Sequence, residues 1–130
     1  LKKLFPEEDF QFDVPSPELK LNVDRTQIEQ ILINLLKNAR EACSRKSDKK
    51  IQVKARKLSA GNTTLTISDN GEGILPDVLD KIFVPFFTTK TSGSGIGLSL
   101  CKQIMTLHEG SINVKSEVGK GSSFILTFPK

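Results

Sequence analysis

Apolar and polar positions change period several times along the chain, and each change marks an expected element. Phe10, Phe12 and Val14 alternate with polar residues, and after Pro15 and Pro17 so do Leu19, Leu21 and Val23. Alternation sends successive side chains to opposite faces, which predicts two strands. The period then lengthens. Ile28, Ile31, Leu32, Leu35, Leu36, Ala39, Ala42 and Cys43 fall on one face of a helix. Asp24 is its expected N-cap, with Gln27 three residues on in capping-box position. After a polar loop at Ser47 to Lys50, Ile51, Val53 and Ala55 predict a third strand. A turn at Ala60-Gly61-Asn62 leads to a fourth, Thr64 to Asp69. Leu75-Pro76-Asp77 opens a short helix running through Ile82. A second long helix starts at Gly97-Leu98, with Ile96, Leu100, Ile104 and Leu107 on its core face and Leu98, Cys101 and Met105 widening it. Gly110 is its expected C′ residue. Ile112 and Val114 predict a fifth strand, Gly119-Lys120-Gly121 a turn, and Phe124, Leu126 and Phe128 a sixth strand.

Strands therefore cluster towards both ends, with the long helices between them. That order predicts an α+β fold, a two-layer sandwich on a mixed, mainly antiparallel sheet. A length of 130 residues is that of one domain with a real core. The first eight residues read as a linker from a preceding domain, and the start at Leu1 rather than Met is that of a fragment of something longer.

Composition is that of an ordinary globular protein, and it narrows the partners. The net charge of +4 is concentrated in Arg45, Lys46, Lys49, Lys50, Lys54, Arg56 and Lys57. Nucleic-acid binding would want aromatic residues among those bases, and the chain has no Trp or Tyr and no Phe in that stretch. A solvated loop and strand edge is the simpler account, although a polyanion gains from a positive field nearby. Cys43 and Cys101 sit at apolar helical positions without metal-ligand spacing, as reduced core thiols of a cytoplasmic domain would. No apolar run has membrane-spanning length.

The chemistry gathers around Asp69-Asn70-Gly71-Glu72-Gly73-Ile74. Leu65, Ile67 and Asp69 share one side of their strand, so a carboxylate ends a row of core residues. That position is costly unless a partner satisfies the acid, and a polar ligand group entering from the open end of the sheet would do so. Gly71 and Gly73 permit a sharp turn and a close approach by a ligand. Taken alone, the stretch reads rather as a hairpin turn with two convenient glycines. Asn34 and Asn38, four apart, stack on one edge of the first helix's apolar stripe. Asn34 there can line a cleft or reach water; later motifs favour the cleft for Asn38. Phe83 to Gly97 keeps neither period: three phenylalanines surround a proline, then come Thr88, Thr89, Lys90, Gly93, Gly95 and Gly97. This is expected to be a lid, anchored at its aromatic end and disordered near Thr91 to Gly95 when no ligand holds it. Its glycines precede a helix, where free N–H groups and the helix dipole favour an anion, or where a flexible hinge is needed. Lys90 with Thr88 and Thr89 would suit a terminal phosphate, or Lys90 is simply solvated.

The order Asn-x-x-x-Asn, Asp-x-Gly-x-Gly, aromatic lid, Gly-x-Gly-x-Gly resembles the ATP-binding catalytic domain of bacterial sensor histidine kinases, in the family that also holds gyrase, Hsp90 and MutL. Gln30 to Ala39 resembles that family's N box, Asp69 to Gly73 its first glycine box and Lys81 to Lys90 its F box. Gly93 to Leu98 resembles the second glycine box and Gly119 to Phe124 the last. Pro85 to Lys90 with Asn38 to Ala42 is most similar to the nitrogen-regulation type. The resemblance implies binding of ATP or ADP with Mg²⁺ and transfer of the γ-phosphoryl group to a histidine. Asp69 would accept from the adenine amino group, with a water near Gly73 and a hydroxyl at Ser122 or Ser123 assisting. Asn38 would ligate Mg²⁺ with Asn34 close by, and Lys90 with the backbone of Gly95, Gly97 and Leu98 would hold phosphates. The boxes also bring Arg40, Glu41, Gly71, Ile74, Phe83, Thr88, Thr89, Gly93 and Ile96 to the nucleotide, and Asn34, Asn38 and Lys90 to the chemistry.

Two departures qualify that picture. The ATPase branch carries a general-base Glu four residues before the metal-binding Asn, where this chain has Asn34. An amide cannot take a proton from water, so slow hydrolysis and a kinase are expected. Many sensor kinases carry a basic residue three places after that Asn; here it is Glu41, leaving Arg40 and Lys37 as candidate cations. His108 is the only histidine, at a helix end without an acidic partner or proline pattern, so it is expected to be structural. The acceptor histidine is expected on a separate dimerisation domain preceding Leu1, with a response regulator downstream, a homodimeric full-length protein and a monomeric fragment. A gyrase–Hsp90–MutL-like ATPase, a serine kinase of the anti-sigma type and a nucleotide-free docking module are the alternatives.

Overall fold

A computed structural model describes residues 10–13, 25–85 and 97–129. Its elements run β1 (Phe10–Asp13), α1 (Arg25–Ala42), β2 (Ile51–Lys57), β3 (Thr63–Asp69), α2 (Pro76–Leu79), α3 (Gly97–Leu107), β4 (Ser111–Glu117) and β5 (Gly121–Phe128). The sheet order is β1-β2-β3-β5-β4. β1 pairs with β2 in parallel, and the other neighbours are antiparallel. The sheet is thus mixed and mainly antiparallel, with α1 and α3 layered on one face. The strand expected over 19–23 and the Asp24 cap lie outside the described residues.

Register sorts the side chains into rows. On the helix side, Ala55, Leu65, Leu126 and Ile112 form one row, and Val53, Ile67, Phe124 and Val114 the next. Helix α1 lays Ile28, Ile31, Leu35, Leu36, Ala39 and Cys43 onto them, and α3 adds Cys101, Ile104 and Met105. Each fully buried aliphatic side chain contributes about 1.5–3 kcal/mol by leaving water. The other face carries Lys54, Thr66, Ile125 and Asn113, and Arg56, Thr64, Thr127 and Ser111, a mostly polar set that suits water.

Two expectations about α3 are corrected. Leu100 is 37% and Leu107 72% exposed, so they lie off the core face. The helix dips into the core on Cys101, Ile104 and Met105, a narrower stripe than the apolar pattern implied. Its end is also shifted by one residue. Gly110 N–H donates to Met105 O at 2.8 Å and Glu109 N–H to Thr106 O at 3.0 Å, a pair of bonds that makes Glu109 the left-handed residue, with φ 59°. Gly110 is a glycine for another reason, because a Cβ there would run into the Thr127 carbonyl. The short helix α2 keeps one turn, with Pro76 in its first turn, and turns continue to Phe83.

Candidate functional site

The third row on the helix side is Ile51, Asp69, Ser122 and Ser116. It continues the two apolar rows but turns polar, because it lies at the open end of the sheet. Asp69 is thus held on the same face as Leu65 and Ile67, as the alternation requires. Gly71 N–H donates to Asp69 Oδ1 at 2.9 Å and fixes the carboxylate. Burial pushes the Asp69 carboxyl above its ordinary range, and backbone hydrogen bonds from Gly71 and Ser122 pull partly back. An open cleft at this end of the sheet is lined by Asp69, Ser116, Gly121, Ser122 and Ser123, with Lys115, Glu117 and Lys120 completing it.

The two candidate hydroxyls part company. Ser122 faces Asp69 across the register and is buried. Ser123 points to the opposite face, where its hydroxyl meets Ser68 Oγ at 2.9 Å. Sequence reading did not single out Ser116. Its hydroxyl accepts from Ile74 N–H at 2.8 Å, lies 2.8 Å from Ser122 Oγ and donates to Gly121 O at 3.1 Å. Only the β4–β5 register, in which Ser116 pairs with Ser122, could have found it.

The glycines after Asp69 make room for protein backbone. A Cβ on Gly71 would stand 2.5 Å from Ala42 O at the end of α1. Gly73 has φ +79°, and a Cβ there would collide with the Glu117 carbonyl. Gly121, with φ +129°, lies as tightly against the Asp69 carbonyl. Glu72 N–H donates to Ala42 O at 3.2 Å, and Gly119 N–H donates to Glu72 O at 2.9 Å. The stretch after β3 is therefore wedged between α1 and the β4–β5 turn.

Helix α1 supplies the second side. Asn34 Oδ1 lies 3.7 Å from where a Gly97 Cβ would be, at the start of α3. Its Nδ2 donates to Cys101 Sγ at 3.8 Å. Two turns on, Ala42 meets Gly71. Asn38 is one turn from each, on the same helix edge and half-buried. One edge of α1 thus runs from the N-terminus of α3 to the end of β3. Arg40 and Lys37 are exposed. Arg40 lies roughly 160° around the helix from Asn38, whereas Glu41 is on the next turn beside it. Leu98, Ile74 and Phe83 pack against the core edge, and Lys102 Nζ stands 5.7 Å from the Phe83 ring centre. Thr88, Thr89, Lys90, Gly93, Gly95 and Ile96 lie outside the described residues, as does the expected lid between Pro85 and Gly97.

Both cysteines are buried free thiols. Burial raises the Cys101 pKa to about 11, against a hydrogen bond from Asn34 that lowers it. Burial and then the nearby Asp69 carboxylate raise that of Cys43. His108 Nδ1 sits 2.8 Å from Ile104 O on its own helix. Among the described residues, no group of three or more His, Cys, Asp and Glu could hold a metal, and no helix is long and apolar enough to cross a membrane. Asn34 and Asn38 offer neutral amide oxygens, hard donors that fit Mg²⁺ when phosphate oxygens and waters complete its shell.

Residues 23–130 match the model of the family described as histidine kinase-, DNA gyrase B-, and HSP90-like ATPase. Sensor histidine kinase ZraS of Salmonella typhimurium is 39% identical over 110 residues, which is 85% of this chain and 23% of ZraS. The chain therefore spans less than a quarter of that relative's length. The nucleotide-free catalytic domain of histidine kinase ThkA superposes with a TM-score of 0.85 at 34% identity, covering 99% of this chain and 88% of that one. ThkA in complex with response regulator protein TrrA gives 0.78 at 32% identity, covering 99% of this chain and 38% of that one. By the family match and these likenesses, the chain belongs to the histidine kinase-, DNA gyrase B- and HSP90-like ATPase family, as an ATPase domain of the sensor histidine kinase kind.

Proposed function

We propose that this domain binds Mg–ATP and hands the γ-phosphoryl group to a histidine on a separate dimerisation domain of the same full-length protein. One observation carries the reading: a carboxylate set at the open end of an otherwise apolar face, hydrogen-bonded to Gly71 and beside the buried Ser122 hydroxyl. An acceptor in a partly buried setting discriminates a base amino group well, because leaving it unmatched is costly. Asp69 accepts from the exocyclic amino group of adenine, and Ser122 stands beside it to assist. Asn38 would hold Mg²⁺ with Asn34 close by, and the bound ion would neutralise phosphate charge, which with positioning is the main demand of phosphoryl transfer. The N-terminus of α3 at Gly97 and Leu98 receives phosphate oxygens through free N–H groups. Lys90, Thr88, Thr89 and the backbone of Gly93, Gly95 and Ile96 complete that end.

Asn34 stands where a hydrolytic base would be needed, so water is not activated and the γ-phosphoryl group is kept for the histidine. The nitrogen-regulation-like subtype is favoured by Pro85 to Lys90 and Asn38 to Ala42. A response regulator as downstream partner is supported by the ThkA–TrrA complex. The domain works in the cytoplasm, as a monomer when alone and within a homodimer in the full protein.

Calorimetric titration of ADP and a non-hydrolysable ATP analogue, with and without Mg²⁺, tests this. Binding that Mg²⁺ strengthens and Asp69→Asn weakens by about tenfold or more is expected, the worth of one hydrogen bond to a charged group. An unchanged affinity in Asp69→Asn would overturn the base-recognition role.

A further inference from the structure

Asn70, the residue between the carboxylate and the first glycine, is tied more densely than its place in a turn requires. Its Nδ2 donates to Asp48 O at 2.9 Å. Its Oδ1 accepts from Lys50 N–H at 2.9 Å and from Cys43 Sγ at 3.5 Å. Its own N–H donates to Lys50 O at 3.1 Å. One carboxamide thus joins three places: the end of β3, the last turn of α1 at Cys43, and the loop entering β2. Next to it, Gly71 presses on Ala42 and its N–H holds Asp69 Oδ1. Sheet pairing holds Asp69 between Ile51 and Ser122, and Asn70 and Gly71 tie down the backbone that follows it.

We infer that Asn70 is a positioning residue for base recognition: its carboxamide locks the end of β3 to α1 and so sets where the Asp69 carboxylate stands relative to the Asn34–Asn38 edge. The inference rests on the proposed reading of Asp69 as the acceptor for the base amino group. A hydrogen-bond acceptor discriminates only when it is held within a fraction of an ångström of its partner, and Asp69 has Gly71 N–H as its fixing donor. Losing the Asn70 carboxamide frees Gly71 and the loop at Asp48 to Lys50 to shift, and the carboxylate moves with them. The phosphate end, at Asn34 and Gly97, makes no contact with Asn70 and should be indifferent to the change.

The test is the ratio of ADP to IDP affinity in the wild-type chain, Asn70→Ala, Asn70→Asp and Asp69→Asn. IDP carries a carbonyl where ADP carries the amino group, so the ratio reads the Asp69 contact and cancels whatever both nucleotides share. It also ignores the fraction of molecules folded. In Asn70→Ala the ratio should fall about tenfold, towards that of Asp69→Asn, with IDP affinity nearly unchanged. Asn70→Asp keeps the acceptor for Lys50 N–H and Cys43 but cannot donate to Asp48 O, so it should fall between wild type and Asn70→Ala. A ratio at the wild-type value in Asn70→Ala, with a lower melting temperature, would reduce Asn70 to a purely structural role. A wild-type ratio in Asp69→Asn as well would overturn the base reading itself, and the positioning role with it.

Discussion

At the residue scale, Asp69 shows a site working against stability. Burial raises its carboxyl pKa, so the folded chain binds that proton more tightly than the unfolded one. The resulting penalty is absent below the unfolded pKa, grows as pH rises through the folded value, and is complete above it. Asp69→Asn keeps an oxygen for Gly71 N–H and removes the charge. Its melting temperature near pH 7 should equal or exceed that of the wild type, and the difference should shrink as pH falls towards the ordinary carboxylate range, about 3.9. Thermal scans at several pH values read this directly. Glu109 is a second strained residue, with φ 59° at the end of α3. Glu109→Gly should raise stability by roughly 1 kcal/mol in urea denaturation, since a left-handed conformation costs an L-residue about that much. The thiols should be silent: with Cys101 pushed up to about 11 and both side chains buried, labelling by an aromatic disulfide should track unfolding.

At the scale of elements, α1 does two jobs with two faces. Its apolar face seals the sheet through Ile31, Leu35 and Leu36, each 0% exposed. Leu35→Ala should cost about 2–5 kcal/mol, measured by denaturant unfolding, because so enclosed a site relaxes little around a cavity. Its polar edge carries Asn34 and Asn38 past the start of α3 to Gly71. Where α1 ends, the backbone after β3 comes closer than any Cβ permits. Gly71→Ala should therefore cost about 2 kcal/mol or more, because the atoms it meets are Ala42 backbone and cannot swing aside. That substitution should also weaken ADP, whereas Leu35→Ala should lower stability with little change in affinity for the folded molecules.

At the scale of the whole molecule, the sheet and two helices make a cleft whose walls come from distant parts of the chain. Asp69 from β3, Ser122 from β5 and Ser116 from β4 meet only through the register. A ligand seated there touches several elements at once and binds only the folded form. ADP at about a hundred times its Kd should therefore add about 2.7 kcal/mol to unfolding of the wild-type chain. The same ADP concentration should add markedly less to Asp69→Asn, as a thermal-shift series would show.

Much of this could be read from local pattern. Alternation and helical spacing report which side of an element is apolar, and that is set by neighbours two, three or four residues away. The strand ending in Asp69, the apolar face of α1 and the mixed, mainly antiparallel sheet were legible for that reason. Their order resembles that of the family's motifs, which is what suggests a nucleotide site at this end of the sheet. What local pattern cannot carry is which elements meet. The apolar spacing of α3 counts Leu100 and Leu107 as core, yet only the packing angle decides that they stay outside. Ser122 and Ser123 are adjacent in sequence, and register alone sets Ser122 beside Asp69 and Ser123 beside Ser68. Ser116 and Asn70 carry no signal of their own, because a serine on a strand or an asparagine in a turn is common. The sequence by itself determined the elements, their apolar faces and the identity of the chemical groups. Tertiary structure decided which groups share the cleft, because contacts between residues far apart in the chain are settled by packing and hydrogen-bond register across the sheet.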